Sequence, residues 1–314
     1  MNLPAVPRLL GPERAKLASR AALASVAVAA VLLLAKTWAA IATDSTAMLG
    51  SLADTVLDLV ASLVTFAGVR IAALPADHDH RFGHGKAEAL VALSQVVLIG
   101  ASAVGIAWRS IARLLTGAPT QQAELGIAVS VLAMVATMAL IAYQRSVVAR
   151  TGSVAIETDK LHYSSDLYLN GAVIAALVLD QYFRVRGADA VFGVILAGWL
   201  LWGAWRAAGR SVDQLMDKEW PIAKREAFLA AAAKHPELAG IHDIRTRTAG
   251  ELDFIQFHVW VPADWTIKEA HDRLDVVEEQ LQGQFPGTEI FLHLDPEGHT
   301  DRETLLPGHL TEAP

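Results

Sequence analysis

Six runs of mostly apolar residues fill the first two thirds of the chain. They cover about residues 16–38, 46–73, 88–115, 123–147, 156–181 and 189–212. A bilayer core needs about 20 apolar residues per helix, so each run is long enough to cross it. The first run is too long and unbroken for a cleaved signal peptide and is interpreted as a retained span. The pattern predicts an α-helical membrane protein with six transmembrane helices in residues 1–212.

After residue 212 the pattern becomes that of a polar, amphipathic domain. Residues 221–237 and 266–285 have helical spacing, and Thr266 fits a helix N-cap. Residues 240–250, 251–262 and 288–296 alternate as strands do, with a turn at Ala249 and Gly250. The order predicts a two-layer α+β domain, α-β-β-α-β, over residues 213–300, followed by a C-terminal tail at 301–314.

Composition narrows the chemistry that the chain can perform. The sequence is 53% hydrophobic and 19% charged, whereas soluble domains carry about 25% charged residues. It contains no cysteine, which excludes disulfides and thiolate metal ligands. Any metal must therefore be bound by His, Asp and Glu, which suits Zn²⁺ and harder divalent ions. The formal charge of −7 gives no reason to expect a nucleic-acid partner.

Basic residues near the ends of the runs predict the orientation, because they concentrate on the cytoplasmic side. If the N-terminus is cytoplasmic, the inside set is Arg8, Arg14, Lys16, Arg20, Arg70, Arg81, Lys86, Arg145, Arg150 and Lys160. The outside set is Arg184 and Arg186, with Arg109 and Arg113 near that side. We therefore expect both termini and the α+β domain in the cytoplasm.

Two pairs of polar residues interrupt the apolar runs with the same spacing. Asp54 and Asp58 lie four residues apart in the second run, as do His162 and Asp166 in the fifth. Residues four apart share one face of a helix, and an ionised carboxylate at membrane depth costs at least about 2.5 kcal/mol. Two such faces offer four N and O ligands, the tetrahedral set that Zn²⁺ prefers. A proton on His162 or a carboxylate would offset the charge when the metal leaves.

The alternative is that these groups only join helices through hydrogen bonds. That role is expected of their neighbours Tyr163, Ser164, Ser165 and Asn170. Two spaced pairs in separate runs favour the metal site.

A histidine-rich loop separates the second and third runs. Asp77, His80 and His84 fit a second, small metal site at the cytoplasmic surface, with His78 and Asp79 as further candidates. Exposed loop histidines without any function are the alternative.

Five more candidate ligands lie in the α+β domain: His242, His258, His271, His293 and Asp295. His293 and Asp295 are two apart on the last strand, so they share one face. The set could bind one or two Zn²⁺ ions. Ordinary surface histidines are the alternative, because the sequence does not show that these residues converge.

Together these motifs resemble the cation diffusion facilitator family, and most closely its bacterial zinc and ferrous-iron efflux pumps. The resemblance spans nearly the whole chain. It rests on LADTVLD, PADHDHRFGHGKAEAL, LHYSSDLYLNGA, DQLMDKEWP, HDIRTRTAG, FIQFHVW and LHLDP.

The resemblance implies a homodimer in the bacterial cytoplasmic (inner) membrane, with a metallochaperone-like cytoplasmic domain. It implies efflux of a divalent metal by metal–proton antiport and alternating access. The implied transport site is Asp54, Asp58, His162 and Asp166, and the implied loop site is Asp77, His80 and His84. The implied cytoplasmic binuclear site is His242, His258, His271, His293 and Asp295, with His258 shared between two ions. Lys86 and Asp217 match a charge interlock of the family.

Asp54 bears on the choice of metal, because family members with His at this position resemble zinc specialists. With Asp54 this chain resembles the bacterial exporters of the family that also accept Cd²⁺. Three carboxylates and one imidazole are a harder ligand set than two of each, which leaves Fe²⁺, Mn²⁺ and Co²⁺ open beside Zn²⁺. An enzyme is the second hypothesis: an intramembrane metal hydrolase would need a general base, and the chain has no HExxH run. A metal sensor is the third, but it leaves the intramembrane carboxylates unexplained. We therefore expect a secondary transporter and no enzyme.

Overall fold

The computed structural model describes residues 11–43, 46–116, 127–183 and 188–299. The predicted tail at 301–314, the beginning of the fourth predicted span and the predicted outside residues Arg184 and Arg186 lie outside these ranges. By contacts the chain divides into two compact units. The helical unit is Met1–Ala76 with Lys86–Val212, and the sheet unit is Asp77–Gly85 with Asp213–Pro314.

Six long helices form the helical unit, as predicted. They are α1 (Gly11–Thr43), α2 (Thr46–Ala72), α3 (Ala87–Thr116), α4 (Ile127–Thr151), α5 (Val154–Phe183) and α6 (Ala188–Leu215). Five of them, all except α5, are long and apolar enough to cross a membrane. In α5 the first four turns carry Glu157, Asp159, Lys160, His162 and Asp166, so polar residues interrupt its apolar pattern, as Asp54 and Asp58 do in α2.

Small residues let these helices approach one another closely. Ala18, Ala21 and Ala22 of α1 are fully buried, and a Cβ added at Gly68 would lie 2.1 Å from a methyl carbon of Val91. Close packing of small residues is what holds helices together in lipid, where no hydrophobic effect drives them together. Many larger apolar side chains are exposed instead, including Leu34 at 71% and Trp108 at 77%, as expected of surfaces that face lipid.

A buried ion pair ties three helices at one end of the helical unit. The Arg14 guanidinium lies 3.1 Å and 3.3 Å from the two carboxylate oxygens of Glu88, at the start of α3. Its Nε donates to the carbonyl oxygen of Thr151, the last residue of α4, at 2.9 Å. Arg14, which was counted as an interior loop charge, is therefore neutralised by Glu88 and satisfies an orphan carbonyl at a helix end.

The sheet unit has the predicted order of elements. Helix α7 (Ile222–Ala232) and a short 3₁₀ turn precede β1 (His242–Ala249), β2 (Leu252–Val261), α8 (Ile267–Gln284) and β3 (Thr288–Pro296). The sheet order is β1-β2-β3, with β1 antiparallel and β3 parallel to β2. Both predicted local signals are confirmed: Gly250 adopts a positive φ of 66° between β1 and β2, and Thr266 forms a capping box with Glu269.

Alternation along the strands gives the sheet two different faces. Ile255, Phe257 and Val259 of β2 are fully buried and pack with Phe228 of α7 and Leu281 of α8. The intervening positions of β2 point to the other face, and so do their neighbours on β3. The second face carries the histidines.

The loop Asp77–Gly85 packs on this second face, which the sequence did not predict. The Phe82 ring meets Phe254 edge to face at 5.7 Å, and the Arg247 guanidinium lies 4.3 Å from the Phe82 ring centre. Gly85 packs so closely on Ala249 that an added Cβ would lie 2.3 Å from its carbonyl oxygen. A cavity of about 500 Å³ remains beside Phe82, Arg245 and Phe291.

Candidate metal centres

Three of the four predicted transport ligands converge between α2 and α5. Candidate ligand atoms of Asp58, His162 and Asp166 all lie within 4.8 Å of one another. His162 Nε2 is 3.1 Å from Asp58 Oδ1, and the two side chains are only 14% and 22% exposed. The four-residue spacing thus does what helical geometry predicts, since His162 and Asp166 present one face of α5 to α2.

Asp54 does not join this group. It lies one turn before Asp58 on α2 and is exposed, and its carboxylate is outside the set of ligand atoms that lie within 4.8 Å of one another. Three of the four predicted ligands therefore converge in this conformation.

The polar surroundings of this cluster include Lys36 and Thr55, which sequence reasoning missed. They also include Ser164, Ser165 and Asn170, which were expected to form hydrogen bonds between helices. Lys36 of α1 donates from Nζ to Thr55 Oγ1 at 2.7 Å, between Asp54 and Asp58 in the α2 sequence. Ser165 Oγ donates to the carbonyl oxygen of His162 at 2.5 Å, and Asn170 donates to that of Asp166 at 2.8 Å. These two groups and Ser164 bond to their own helix, so they satisfy the backbone rather than bind an ion.

The predicted loop ligands also come together. Asp77 Oδ2 lies 3.3 Å from His84 Nε2, and Asp77 Oδ1 lies 3.3 Å from His80 Nδ1. The backbone N–H of His80 donates to Asp77 Oδ1 at 2.7 Å, which lowers the pKa of this exposed carboxyl below its usual value. Within the described residues His78 and Asp79 stay outside this group of three.

Strand register assembles the third cluster. His242 of β1 pairs with His258 of β2, and His258 pairs with His293 of β3, so three histidines form a row across the sheet. Asp295 is two residues after His293, on the same face. Ligand atoms of His242, His258 and Asp295 lie within 4.8 Å of one another, and His258 Nδ1 is 2.9 Å from Asp295 Oδ2.

His242 is held with one ring nitrogen toward this cluster. Its Nδ1 donates to the carbonyl oxygen of Gly240 at 2.7 Å, which leaves Nε2 as the acceptor nitrogen of the neutral ring. Nε2 is buried without a hydrogen bond and lies 3.3 Å from Asp295 Oδ2. A buried acceptor nitrogen beside a carboxylate is what a cation would satisfy, so the donor set fits Zn²⁺.

Asp295 is the anionic centre of the row. Burial by itself would raise its pKa, but the hydrogen bond from His258 and the electrostatic effect of the nearby His258, His293 and His242 side chains lower it overall. Asp295 is therefore ionised at neutral pH, as a metal ligand must be.

The two remaining predicted ligands differ in position. His293 Nε2 is 3.6 Å from Asp295 Oδ1 and its ring lies 4.5 Å from that of His258, so it borders the cluster but is 62% exposed. His271 is exposed on α8 and is not among the ligand atoms that converge within the described residues.

Asp243 is a cluster neighbour that the sequence did not reveal. It lies at an irregularity of the β1–β2 register, with a positive φ of 45°. Its Oδ2 is 2.8 Å from Arg245 Nη2 and 3.7 Å from His258 Nε2. Such a backbone conformation is uncommon outside glycine, but strand alternation alone gives no signal for it.

The predicted charge interlock of Lys86 and Asp217 stays a prediction. Asp217 has a positive φ of 54° and lies 3.7 Å from Arg247 Nη1. Lys86 lies immediately before α3, and its carbonyl oxygen accepts hydrogen bonds from the backbone N–H groups of Ala89 and Leu90.

Comparison with known proteins places this architecture in one family. The cation efflux transmembrane domain matches residues 22–216, and the cation efflux protein cytoplasmic domain matches residues 221–297. The cation-efflux pump FieF of Shewanella oneidensis is 42% identical over 90% of this chain and 94% of its own length. FieF of Cronobacter sakazakii is 40% identical over 90% and 93%.

A solved structure of the zinc transporter CzrB in its zinc form is 35% identical, with a TM-score of 0.25. It covers 27% of this chain and 99% of its own. The two matched domains together account for both units. The matches to the two FieF pumps cover almost the full length of each pump. The chain therefore belongs to the cation efflux, or cation diffusion facilitator, family of the YiiP type, a multi-pass membrane family of divalent metal efflux pumps.

Proposed function

We propose that this protein exports Zn²⁺ from the bacterial cytoplasm in exchange for protons, and that Cd²⁺, Fe²⁺ and Mn²⁺ are further substrates. The observation that carries the proposal is the convergence of Asp58, His162 and Asp166 between two membrane helices. Asp54 completes the set of four when α2 moves. Four N and O ligands suit Zn²⁺, and three carboxylates keep harder ions possible.

The ligand charges explain why protons are the counter-ion. Three carboxylates and a neutral imidazole carry a formal charge of −3, which a divalent metal reduces to −1. Without the metal, unpaired carboxylates in this partly buried position are costly. Protons on His162 and a carboxylate replace the metal charge, so metal binding and proton binding exclude each other.

The resemblance and the positive charge bias support the remaining parts of the proposal. The protein acts as a homodimer in the inner membrane, with both termini in the cytoplasm, and works by alternating access. The clusters of the sheet unit and loop hold regulatory or structural Zn²⁺, with His258 shared between two ions and His271 completing the set.

Flux and lumenal pH, measured together in liposomes, test the proposal. The native chain should take up Zn²⁺ and move protons the opposite way, and Asp58→Ala or Asp166→Ala should abolish both. Undiminished transport by either variant would refute the site.

A metal sensor is the second candidate, because the histidine row could bind Zn²⁺ without any transport. The same liposomes separate the two. A sensor would bind Zn²⁺ in the row but would show no flux under a proton gradient.

A further inference from the structure

A second buried polar cluster lies in the helical unit, outside the proposed ligand set. Asp159 of α5 is completely buried, three residues before His162. Its carboxylate accepts hydrogen bonds from Ser25 Oγ of α1 at 2.6 Å, Gln144 Nε2 of α4 at 2.7 Å and Gln95 Nε2 of α3 at 3.0 Å. One carboxyl group thus joins four helices.

The neighbours of Asp159 are neutral. Gln95 Nε2 also donates to Thr65 Oγ1 of α2, and Gln144 Nε2 also donates to Ser25 Oγ at 3.0 Å. Among the described residues no Lys or Arg forms an ion pair with Asp159, and the titratable groups nearest to it are His162 and Tyr163 on its own helix. From α1, α2, α3 and α4 it faces only hydroxyl and amide groups.

The hydrogen bonds around Asp159 are incomplete. Gln95 and Gln144 are 1% and 0% exposed, and the Oε1 atom of each has no hydrogen-bond partner. A buried amide oxygen without a donor costs about 1–3 kcal/mol. The side-chain amide hydrogens of Gln95 and Gln144 are donated to Asp159, Ser25 and Thr65. The two Oε1 atoms are left without a donor, so the cluster has fewer donors than its acceptors need.

We propose that Asp159 is a proton-binding site whose occupancy depends on metal at the transport site. Three neutral donors stabilise the ionised carboxylate, whereas complete enclosure penalises it. The site is too enclosed for a hydrated metal ion, but a proton needs no cavity and adds the donor that the cluster lacks.

Position on α5 provides the coupling. Three residues along a helix correspond to a rise of about 4.5 Å, so a divalent cation held by His162 acts on Asp159 at short range and favours loss of its proton. The polar contact continues toward α2, because Tyr163 Oη lies 2.8 Å from Ser62 Oγ and donates to the Ser25 carbonyl oxygen at 3.1 Å. Ser62 is one turn after Asp58.

The step conserves charge. The O–H bond of the Asp159 carboxylic acid breaks, the electron pair stays on the carboxylate and the proton passes to water as the metal arrives. The inference rests on the proposed function, since it assumes that metal binds at Asp58, His162 and Asp166.

Proton release on Zn²⁺ binding tests the inference. The full chain with His80→Ala and His258→Ala, which weaken Zn²⁺ binding at the other two clusters, is the parent, and released protons are counted with a pH indicator in weak buffer. Asp159→Asn in this parent should release about one proton fewer per metal, because metal binding then displaces one proton less. Ser25→Ala removes a donor but keeps the carboxyl, so it should release the parent number over a shifted pH range.

Each result is decisive. Equal release by Asp159→Asn and the parent would overturn the inference, and so would equal deficits in Asp159→Asn and Ser25→Ala, which indicate a purely structural network. If the parent binds no Zn²⁺ or releases no protons, the proposed function fails instead.

Infrared difference spectra decide the case in which Asp159→Asn does not fold. Zn²⁺ should remove a protonated-carboxyl band from the parent, and in Ser25→Ala that band should lie at another frequency because one hydrogen bond is lost. A band at the same frequency in both proteins would refute the assignment.

Discussion

The clusters of the helical unit and of the sheet unit use the same ligand types on different scaffolds. In the helical unit, Asp58 and His162 belong to separate helices and meet at 3.1 Å, while Asp54 stays outside. In the sheet unit, His242 and His258 are cross-strand partners in a hydrogen-bonded ladder, and Asp295 lies 2.9 Å from His258. One site depends on how two helices are placed, and the other on fixed register.

That difference matches the tasks that we propose. A ligand set split between helices can open when the helices move, as alternating access requires. A row fixed by strand pairing keeps its geometry in both states, as suits a metal that stays bound.

His162→Ala, in the helical unit, should have the largest effect of the substitutions considered. It removes the only nitrogen ligand of the proposed transport site. We expect Zn²⁺ flux in liposomes to fall at least about 100-fold, because loss of a residue that merely hydrogen-bonds to a metal ligand already lowers metal affinity or activity by about 10–100-fold. Zn²⁺ binding to the histidine row should not change. Flux within a few-fold of the native chain would show that His162 is not a ligand.

His258→Ala is the matched change in the sheet unit. Because His258 lies at the centre of the row, we expect Zn²⁺ affinity there to fall by about 10–100-fold, measured by calorimetry on the full chain. The transport site should still bind, and its complete loss would contradict the separation of the two sites.

Gly240→Ala tests whether the histidine row depends on a fixed backbone next to His242. Gly240 has a positive φ of 63°, and an added Cβ would lie 2.3 Å from the Trp260 ring. Either the Gly240 backbone or the Trp260 ring must therefore move, next to the carbonyl oxygen that accepts from His242 Nδ1. We expect a loss of about 1–3 kcal/mol in the free energy of unfolding and weaker Zn²⁺ binding in the row.

Gly283→Ala is the control for this substitution. It lies in α8 with nothing within 4 Å of an added Cβ, so stability should be unchanged or slightly improved. Equal destabilisation by both changes would argue against the contact with Trp260.

Thr266→Ala should have the smallest effect. It removes the side-chain cap of α8, which is worth about 1 kcal/mol, and the change is measured by chemical unfolding followed through tryptophan fluorescence. The pKa of Glu269 is lowered because the Thr266 backbone N–H, and after it the Thr266 hydroxyl, donate to its carboxylate. Thr266→Ala removes the hydroxyl contact and keeps the backbone one.

The sign of the pH dependence follows from that lowered pKa. Stability from the Glu269 contact is fully present above the ordinary Glu pKa, about 4.3, and is lost as pH falls through the lower folded value. The difference between Thr266→Ala and the native chain should therefore shrink below about pH 4. A difference that grows in acid would contradict the capping box.

Local periodicity made much of this molecule predictable from its sequence. Apolar run length predicted the six helices, and four-residue spacing predicted that His162 and Asp166 would face Asp58 together. The Thr266 cap and the Gly250 turn are also local signals, and the structure has both.

Features that depend on tertiary placement could not be predicted from local patterns. The position of Asp54 outside the converging atoms and the register that aligns His242, His258 and His293 cannot be derived from spacing along one segment. Phe82 packs on Arg247 and Phe254. These residues are far from it in the sequence, so no local pattern predicts the contact. Asp159 was readable as a polar residue near the ligand pair, but its four-helix network required the fold.

Anomalous diffraction at the zinc absorption edge locates the transported ion most directly. Crystals of the full chain grown with Zn²⁺ should give a peak between α2 and α5, at about 2.0–2.2 Å from ligand atoms of Asp54, Asp58, His162 and Asp166. His162→Ala should lose this peak and keep the one at His258. Peaks confined to the histidine row and the loop, with none between α2 and α5, would contradict the proposed transport site.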